Sequence, residues 1–352
     1  MKKINIIYFL PEMKGASGGA RVIYKHSNII NNLNENFSSQ VIHLKRNIIY
    51  KFEASLAKRL NFLNSKYSGL DAKKMKISKN YSPDKKWQAD IYKKRQSLNF
   101  NKDKDFIILP EIWSHFAQDL GLIEKKINYG IFVQGFYHMF STNNFAKLKK
   151  SYEKAKIIIS DSEYSIKCIK NMFPEFANKI IRVNFSVNEH KFQISKKSNL
   201  ITYMPRKLPD HANLLIFYLK NLLPKSWKIV PLINISEKKL INYLSKSKIF
   251  LSFSNLEGIG IPPIEAALAG NKVIGYTGGG GVEYWGLPLF KKIEPGEIDD
   301  FGQILLKEIK NYKSDWIKKS KRHRKKLSQQ YSEKNQTRSL INLVKIIKKF
   351  YI

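Results

Sequence analysis

Short apolar runs rich in β-branched residues alternate with helical patterns along most of the chain. The run Ile4–Leu10 precedes a helical pattern over Ala20–Leu33, and the alternation resumes with Phe106–Leu109. Continuous apolar strands that alternate with helices are typical of parallel sheets covered by helices on both faces. The sequence therefore predicts an α/β protein with doubly wound parallel sheets.

The chain is long enough for more than one domain. Its 352 residues exceed the size at which a single hydrophobic core usually stops growing. The alternation restarts at Leu200–Met204, after the weakly patterned segment Asn188–Ser198. No pattern assigns a role to the lysine-rich residues 50–100. We predict an N-terminal domain over residues 1–190, a C-terminal domain over residues 191–335, and a helix over residues 336–352 that packs back on the N-terminal domain.

The formal net charge of +35 raises the question of a polyanionic partner. Only nine of the 63 basic residues are arginine, and the lysines are spread along the whole chain. Specific nucleic-acid readers usually concentrate arginine on one face, so this distribution argues against them. The densest cluster, Lys318–Lys326, fits either a contact with anionic lipid or a solvated helix face.

Cysteine content and hydropathy indicate the cellular compartment in which the protein is expected. The single cysteine, Cys168, excludes an intrachain disulfide and a cysteine-based zinc site. No run reaches the roughly 18 apolar residues of a membrane-spanning helix. The sequence predicts a cytoplasmic protein and leaves open a peripheral contact with the inner face of an anionic membrane.

The segment Glu257–Gly275 carries the strongest chemical signal, because it follows a predicted strand as a ligand loop does. Gly258 and Gly260 let the backbone approach a ligand closely. The pair Pro262–Pro263 suits the first turn of a helix, whose N-terminus favours a pyrophosphate. Glu265 lies one turn into that helix, where a carboxylate can accept hydrogen bonds from a ribose diol.

Two glutamates separated by seven residues around Gly-x-Gly-x-Pro-Pro, followed by Ala-Ala-x-Ala-Gly, resemble the signature of retaining GT-B glycosyltransferases, group 1 or family 4. The strong match spans Asn255–Gly281. The resemblance implies two Rossmann-like domains that face each other across a cleft. It also implies that Glu265 binds the nucleotide ribose, and that the donor sugar is held by Glu257 and the backbone of Gly258, Ile259, Gly260 and Ile261.

Arg206 and Lys207 follow the first predicted strand of the C-terminal domain. The resemblance implies that an arginine and a lysine there grip the donor diphosphate, whose negative charge grows in the transition state. In the family the lysine lies several residues after the arginine, whereas here the two are adjacent. The predicted catalytic residues are Glu257, Arg206 and Lys207; a solvated turn is the alternative for Lys207.

Two features of the N-terminal domain resemble the family as well. The stretch Gly15–Gly19 between the first strand and helix matches a glycine-rich loop, which implies that Gly18 and Gly19 approach the donor. Gln134 directly follows the predicted strand Tyr129–Val133, where many relatives have a histidine near the donor sugar. We therefore predict Gln134 as a ligand of sugar hydroxyls.

The resemblance implies transfer of a hexose-type sugar from a nucleotide diphosphate to a hydroxyl of a glycan, lipid or polysaccharide precursor, with retention of configuration. We expect no cofactor beyond the nucleotide-sugar substrate and no metal ion, because Arg206, Lys207 and a helix dipole supply positive charge. Two alternatives remain. One is a non-catalytic nucleotide-sugar-binding protein, and the other is a basic protein that binds nucleic acid or a membrane surface.

Overall fold

A computed structural model describes residues 3–11, 18–45, 76–77, 98–140, 142 and 144–352 of the chain. The chain divides into two compact units. Unit 1 comprises Met1–Asn184 and Gln336–Ile352, and unit 2 comprises Phe185–Asn335. The first division thus falls at Asn184, ahead of the predicted boundary at residue 190. Most of residues 50–100 lie outside the described residues.

Unit 1 is built on a sheet with the strand order β3-β2-β1-β4-β5-β6-β7. All neighbouring strands are parallel except β2 and β3. Its strands are β1 (Ile4–Pro11), β2 (Phe37–Lys45), β3 (Lys76–Ile77), β4 (Asp105–Pro110), β5 (Tyr129–Val133), β6 (Ile157–Ser160) and β7 (Ile180–Arg182). Its first three described helices are α1 (Gly18–Asn31), α2 (Phe145–Lys154) and α3 (Glu163–Met172).

The central strands of unit 1 are buried because both faces of the sheet are covered. Strand β4 is buried at every position, and β1 at all but one. Strand β1 pairs with β2 on one side and with β4 on the other, so the chain reverses direction across the sheet at this point. Ligands of open α/β sheets bind at such a switch point, outside the carboxyl ends of the strands.

Short helical segments follow the strands at this carboxyl edge. The 3₁₀ helix Glu111–Phe116 follows β4, and the 3₁₀ helix Phe136–Phe140 follows β5 after two residues. Helix α3 begins after Ser162, whose hydroxyl accepts a hydrogen bond from the N–H of Ser165 at 3.1 Å. This N-cap satisfies one of the donors that a helix start leaves unpaired.

Unit 2 has a five-stranded, all-parallel sheet with the order β12-β11-β10-β8-β9. The chain reverses between β8 and β10, which gives unit 2 a switch point of its own. Its strands are β8 (Ser198–Tyr203), β9 (Lys228–Pro231), β10 (Ser247–Glu257), β11 (Lys272–Gly279) and β12 (Phe290–Lys292). Its helices within the unit are α4 (Pro209–Tyr218), α5 (Glu237–Lys246), α6 (Ile261–Leu268), α7 (Ile298–Lys310) and α8 (Trp316–Gln330). The prediction of doubly wound parallel sheets is confirmed in both units.

The last helix, α9 (Glu333–Lys348), and the residues after it supply buried side chains to unit 1. The ring of Phe350 stacks on Phe106 with centroids 6.1 Å apart, and the Tyr351 hydroxyl donates to the Asp105 carbonyl at 2.6 Å. The buried apolar residues of α9 are Leu340, Leu343, Val344 and Ile347. Ile341, which helical spacing places in the apolar stripe, is 37% exposed, because the buried face is centred on Leu343 instead.

None of the helices in the described part of the chain is both long and apolar enough to cross a bilayer.

Candidate functional site

The switch point of unit 2 brings together two of the predicted site segments. Strand β8 leads into Arg206 and Lys207, and the adjacent strand β10 ends at Glu257. The Lys207 Nζ lies 3.4 Å from Glu257 Oε1, with the two side chains 25% and 26% exposed. Arg206 beside them is exposed. A cation and a carboxylate thus converge at the carboxyl edge, where a ligand of this fold class binds.

The end of β10 departs from regular strand geometry just before Glu257. The pairing with β11 shifts register between Ser254 and Glu257, which marks a β-bulge. Leu256 has a φ of +49°, a left-handed conformation that costs a non-glycine residue on the order of 1–3 kcal/mol. Bulges re-aim side chains and recur beside functional sites. The bulge therefore sets the direction in which Glu257 leaves the sheet.

The loop Gly258–Gly260 is buried and held by the segment after β11. A Cβ atom on Gly280 would lie 1.5 Å from the Gly258 carbonyl oxygen, so only glycine permits this approach. The Tyr284 hydroxyl donates to the carbonyls of Ile259 at 3.0 Å and Gly260 at 2.7 Å. Burial raises the pKa of Tyr284, which keeps the hydroxyl protonated as a donor. The loop after Glu257 is thus fixed by a buried phenol.

Helix α6 starts where the sequence predicts, after Gly260. Gly260 has φ +74° and ψ +79°, a left-handed N-cap conformation that favours glycine. The first three residues of α6 are Ile261, Pro262 and Pro263. Because proline has no backbone N–H, Ile261 alone among these three offers an N–H donor. Backbone donors for an anion therefore come from the loop and Ile261 rather than from the whole first turn. Glu265 lies one turn further on and is half-buried.

A glycine-rich segment at the end of β11, Gly278–Gly281, leads to Glu283. In the structure Glu283 ends the 3₁₀ helix Gly280–Glu283, and the buried Tyr331 hydroxyl donates to its Oε1 at 2.7 Å. The rings of Tyr284 and Tyr331 meet edge to face at 6.1 Å. Glu283 therefore anchors α8 and its C-terminal end to the loop that holds Gly258–Gly260.

The predicted residues of unit 1 also lie at a carboxyl edge. Gly18 and Gly19 are the first residues of α1, and Gln134 directly follows β5. The Gln134 Nε2 donates to the Gly19 carbonyl at 3.1 Å. Gly15 and its neighbours up to residue 17 fall outside the described residues. The structure brings Gln134 and the start of α1 together within unit 1.

Glu111, at the same edge, was not predicted from the sequence. It directly follows β4 and is only 5% exposed. Burial raises its pKa to about 7, against the opposing effect of backbone hydrogen bonds from Glu111 itself, Gln134 and Gly135. An acidic residue inside the apolar run Leu109–Phe116 is the sequence signal that points to it.

The sequence has one Asp-x-Asp spacing in this unit, Asp103 and Asp105. It lies at the amino end of β4, on the edge of the sheet opposite to Glu111. The Asp105 carboxylate accepts hydrogen bonds from Asn5 Nδ2 at 3.0 Å and from the Asn101 N–H at 2.9 Å. These hydrogen bonds connect the loop before β4 to β1, so the Asp105 carboxylate has a structural role.

No family model matches the sequence, and no curated protein matches it either. Solved structures resemble the fold over nearly the whole chain. The N-terminal domain of trehalose-6-phosphate phosphatase from Candida albicans has a TM-score of 0.63 at 9% identity, covering 99% of this chain and 97% of that one. A glycosyltransferase from Rickettsia africae has a TM-score of 0.56 at 14% identity, covering 99% of both chains. HepE from Anabaena, solved with UDP and glucose, has a TM-score of 0.57 at 12% identity, covering 98% of this chain and all (100%) of that chain.

These likenesses, together with one parallel sheet in each unit, define the fold as GT-B. The GT-B fold implied by the motif around Glu257 and Glu265 is confirmed.

Proposed function

We propose that the chain is a retaining glycosyltransferase, which moves a sugar from a nucleotide-diphosphate donor to a hydroxyl acceptor. The observation that carries the proposal is the meeting of Lys207 and Glu257, 3.4 Å apart, at the switch point of unit 2. Beside them lie a buried glycine loop and the start of α6. The fold likeness to HepE, which was solved with UDP and glucose, supports the nucleotide-sugar donor.

In this proposal the predicted site residues of unit 2 form three groups, which bind the ribose, the sugar and the diphosphate of the donor. Glu265 accepts hydrogen bonds from the ribose, while Glu257 and the backbone of Gly258–Ile261 hold the sugar. Arg206 and Lys207 bind the diphosphate; a guanidinium suits two phosphate oxygens and an ammonium acts as a point charge. The ion pair with Glu257 supports a role for Lys207 even though it is adjacent to Arg206.

The proposed reaction needs no covalent intermediate on the enzyme. The bond from the anomeric carbon to the diphosphate breaks, and the acceptor oxygen bonds to that carbon on the same face. The acceptor proton passes to the leaving diphosphate oxygen, so the protein positions the reactants and stabilises the growing charge. Gly18, Gly19 and Gln134 are proposed as further donor contacts. The acceptor is a glycan, lipid or polysaccharide precursor.

A calorimetric panel of nucleotide diphosphates and their sugars, followed by turnover assays with sugar acceptors, tests the proposal. We expect one nucleotide family to bind selectively and its sugar to be transferred. Selective binding without turnover would favour a non-catalytic nucleotide-sugar-binding protein. Binding that lacks nucleotide selectivity and falls steeply with salt would favour a polyanion-binding protein instead.

Substitution of the proposed ribose ligand should weaken nucleotide binding. We expect Glu265→Ala to lose ~1–3 kcal/mol of binding free energy, the range for hydrogen bonds to a charged group. Glu294→Ala is the matched control, because Glu294 is an exposed acid of unit 2 paired only with Lys292 among the ion pairs described. Calorimetry on both folded variants decides the assignment; equal affinities for the two would remove Glu265 from the site.

Activity should persist in excess chelator. The proposed positive charge comes from Arg206, Lys207 and backbone N–H groups, while the Asp-x-Asp carboxylate of Asp105 is engaged by Asn5 and Asn101. The measurement is the initial rate of sugar transfer with and without chelator. Loss of turnover that magnesium or manganese restores would contradict the metal-free proposal.

A further inference from the structure

One lysine of unit 2 binds the carboxyl ends of two helices. Lys197, which precedes β8, donates from its Nζ to the Leu244 carbonyl at 3.2 Å and to the Ala269 carbonyl at 2.6 Å. Leu244 lies in the last turn of α5, and Ala269 is the C-cap residue of α6. The last carbonyls of a helix have no partner within it, so a side chain that binds them stabilises the helix end.

A buried asparagine binds the same two helix ends. Asn271 Nδ2 donates to the Leu244 carbonyl at 2.7 Å and to the Ala266 carbonyl at 2.9 Å. The carboxamide oxygen of Asn271 accepts a hydrogen bond from the Ser247 hydroxyl, and the residue is 0% exposed. A buried amide is costly unless it is hydrogen-bonded, so these partners fix Asn271 in one orientation.

Helix α8 supplies a third contact at the end of α6. Trp316 Nε1 donates to the Gly270 carbonyl at 3.1 Å. Gly270 has a φ of +85°, the left-handed conformation in which helices commonly end. The carbonyls at the end of α6 are therefore bound by side chains from three separate segments, of which Lys197 is the most distant in the chain.

We propose that Lys197 is a positioning residue, which fixes α6 along its axis and so sets the places of Ile261 and Glu265 for the donor. The N–H of Ala269, the residue whose carbonyl Lys197 binds, donates to the Glu265 carbonyl at 3.0 Å. The helix has 8 residues. At 1.5 Å per residue it is roughly 12 Å long, so a shift at one end is passed to the other.

The inference rests on the proposed function only in its last step, the binding of a donor by Ile261 and Glu265. Lys197 acts through the backbone of α6 and does not touch the ligand. A purely structural lysine would add to the free energy of unfolding and leave the affinity of the folded protein unchanged. A positioning lysine changes both quantities, and this difference decides between the two roles.

Amide hydrogen exchange on the full chain tests the structural part without any ligand. The N–H groups of residues 269–271 donate to carbonyls of α6, so we expect them to be protected in the wild type. Their exchange should be about tenfold faster in Lys197→Met, because the carbonyl end of α6 is released. Lys196→Met is the control, since Lys196 is exposed, and it should leave their exchange unchanged.

Two outcomes of the exchange experiment would overturn the proposal. One is exchange of residues 269–271 at the rate of an unprotected peptide in the wild type, which decides the matter even if Lys197→Met fails to fold. The other is a folded Lys197→Met variant in which these amides exchange as slowly as in the wild type.

Calorimetry with UDP-glucose as the probe tests the functional part. We expect Lys197→Met to weaken UDP-glucose binding about fivefold, and by less than about twofold in a Glu265→Ala background, because residues that act through one contact are not additive. Leu305→Ala is the control for lost stability. Leu305 is buried in α7 within a core cluster that holds no residue of α6, so this variant should be destabilised yet bind as the wild type does.

Equal losses of affinity in the two backgrounds, or a matching loss in Leu305→Ala, would overturn the inference. A different result would count against the proposed function alone. In that case the wild type shows the expected amide exchange, Lys197→Met speeds it, and neither UDP-glucose nor the other nucleotides of the panel bind. The role of Lys197 in fixing α6 would then be supported without a donor.

Discussion

Removal of Gln336–Ile352 should abolish the cooperative unfolding of unit 1. These residues place four apolar side chains of α9 in the unit, and the Phe350 ring stacks on Phe106 of β4. The chain end also makes specific hydrogen bonds, since the Ser339 hydroxyl accepts from the Asn184 N–H at 3.0 Å. A helix of this length is marginal alone in water and forms by packing. Loss of the segment would therefore expose the core of unit 1 to water.

A single substitution makes this prediction quantitative. Leu343→Ala should lower the free energy of unfolding by ~2–5 kcal/mol, the usual cost of truncating a buried leucine. Ile341→Ala on the same helix is the control, and we expect a change within about 0.5 kcal/mol because Ile341 faces outward. Urea unfolding of both variants measures the difference. An intact, active truncated protein that fails only to bind anionic vesicles would show that the segment is a membrane anchor instead.

Lys207→Ala should lower the turnover number for sugar transfer by about 10²–10³-fold, the effect of removing one group that stabilises transition-state charge. Stability should change by less than about 1 kcal/mol, because a partly exposed ion pair contributes little to folding. The combination of a large kinetic effect and a small structural one is expected only if Lys207 binds the diphosphate.

The control for this variant is another lysine of unit 2 in a similar ion pair. Lys191 Nζ lies 3.1 Å from Glu237 Oε1. Lys191 precedes β8 in the chain, however, and does not lie at the carboxyl end of β8 or β10, the two strands at the switch point. Lys191→Ala should leave the turnover number unchanged. Steady-state rates and thermal unfolding of both variants, with the donor found by the panel, provide the comparison. Equal turnover in the two variants would exclude Lys207 from the reaction.

Local sequence signals placed the main part of the candidate site. The two prolines and Gly260 predicted the start of α6 because their backbone restrictions act over a few residues, whatever surrounds them. Buried apolar runs predicted Tyr129–Val133 as a strand, and β5 has those bounds. Shorter or less apolar elements were missed. Both α2 and β12 form because their residues pack against the rest of their unit, which a local pattern does not show.

The sequence by itself determined which elements alternate, hence the two parallel sheets, and which residues at their carboxyl ends are proposed to bind a nucleotide sugar. Only the tertiary structure decided how those residues meet. Lys207 and Glu257 become neighbours because β8 and β10 pair across the switch point, and Glu111 acquires a raised pKa because the fold buries it at the end of β4. Burial and strand pairing join residues far apart in the chain, so their effects on charge and position arise only when the chain is folded.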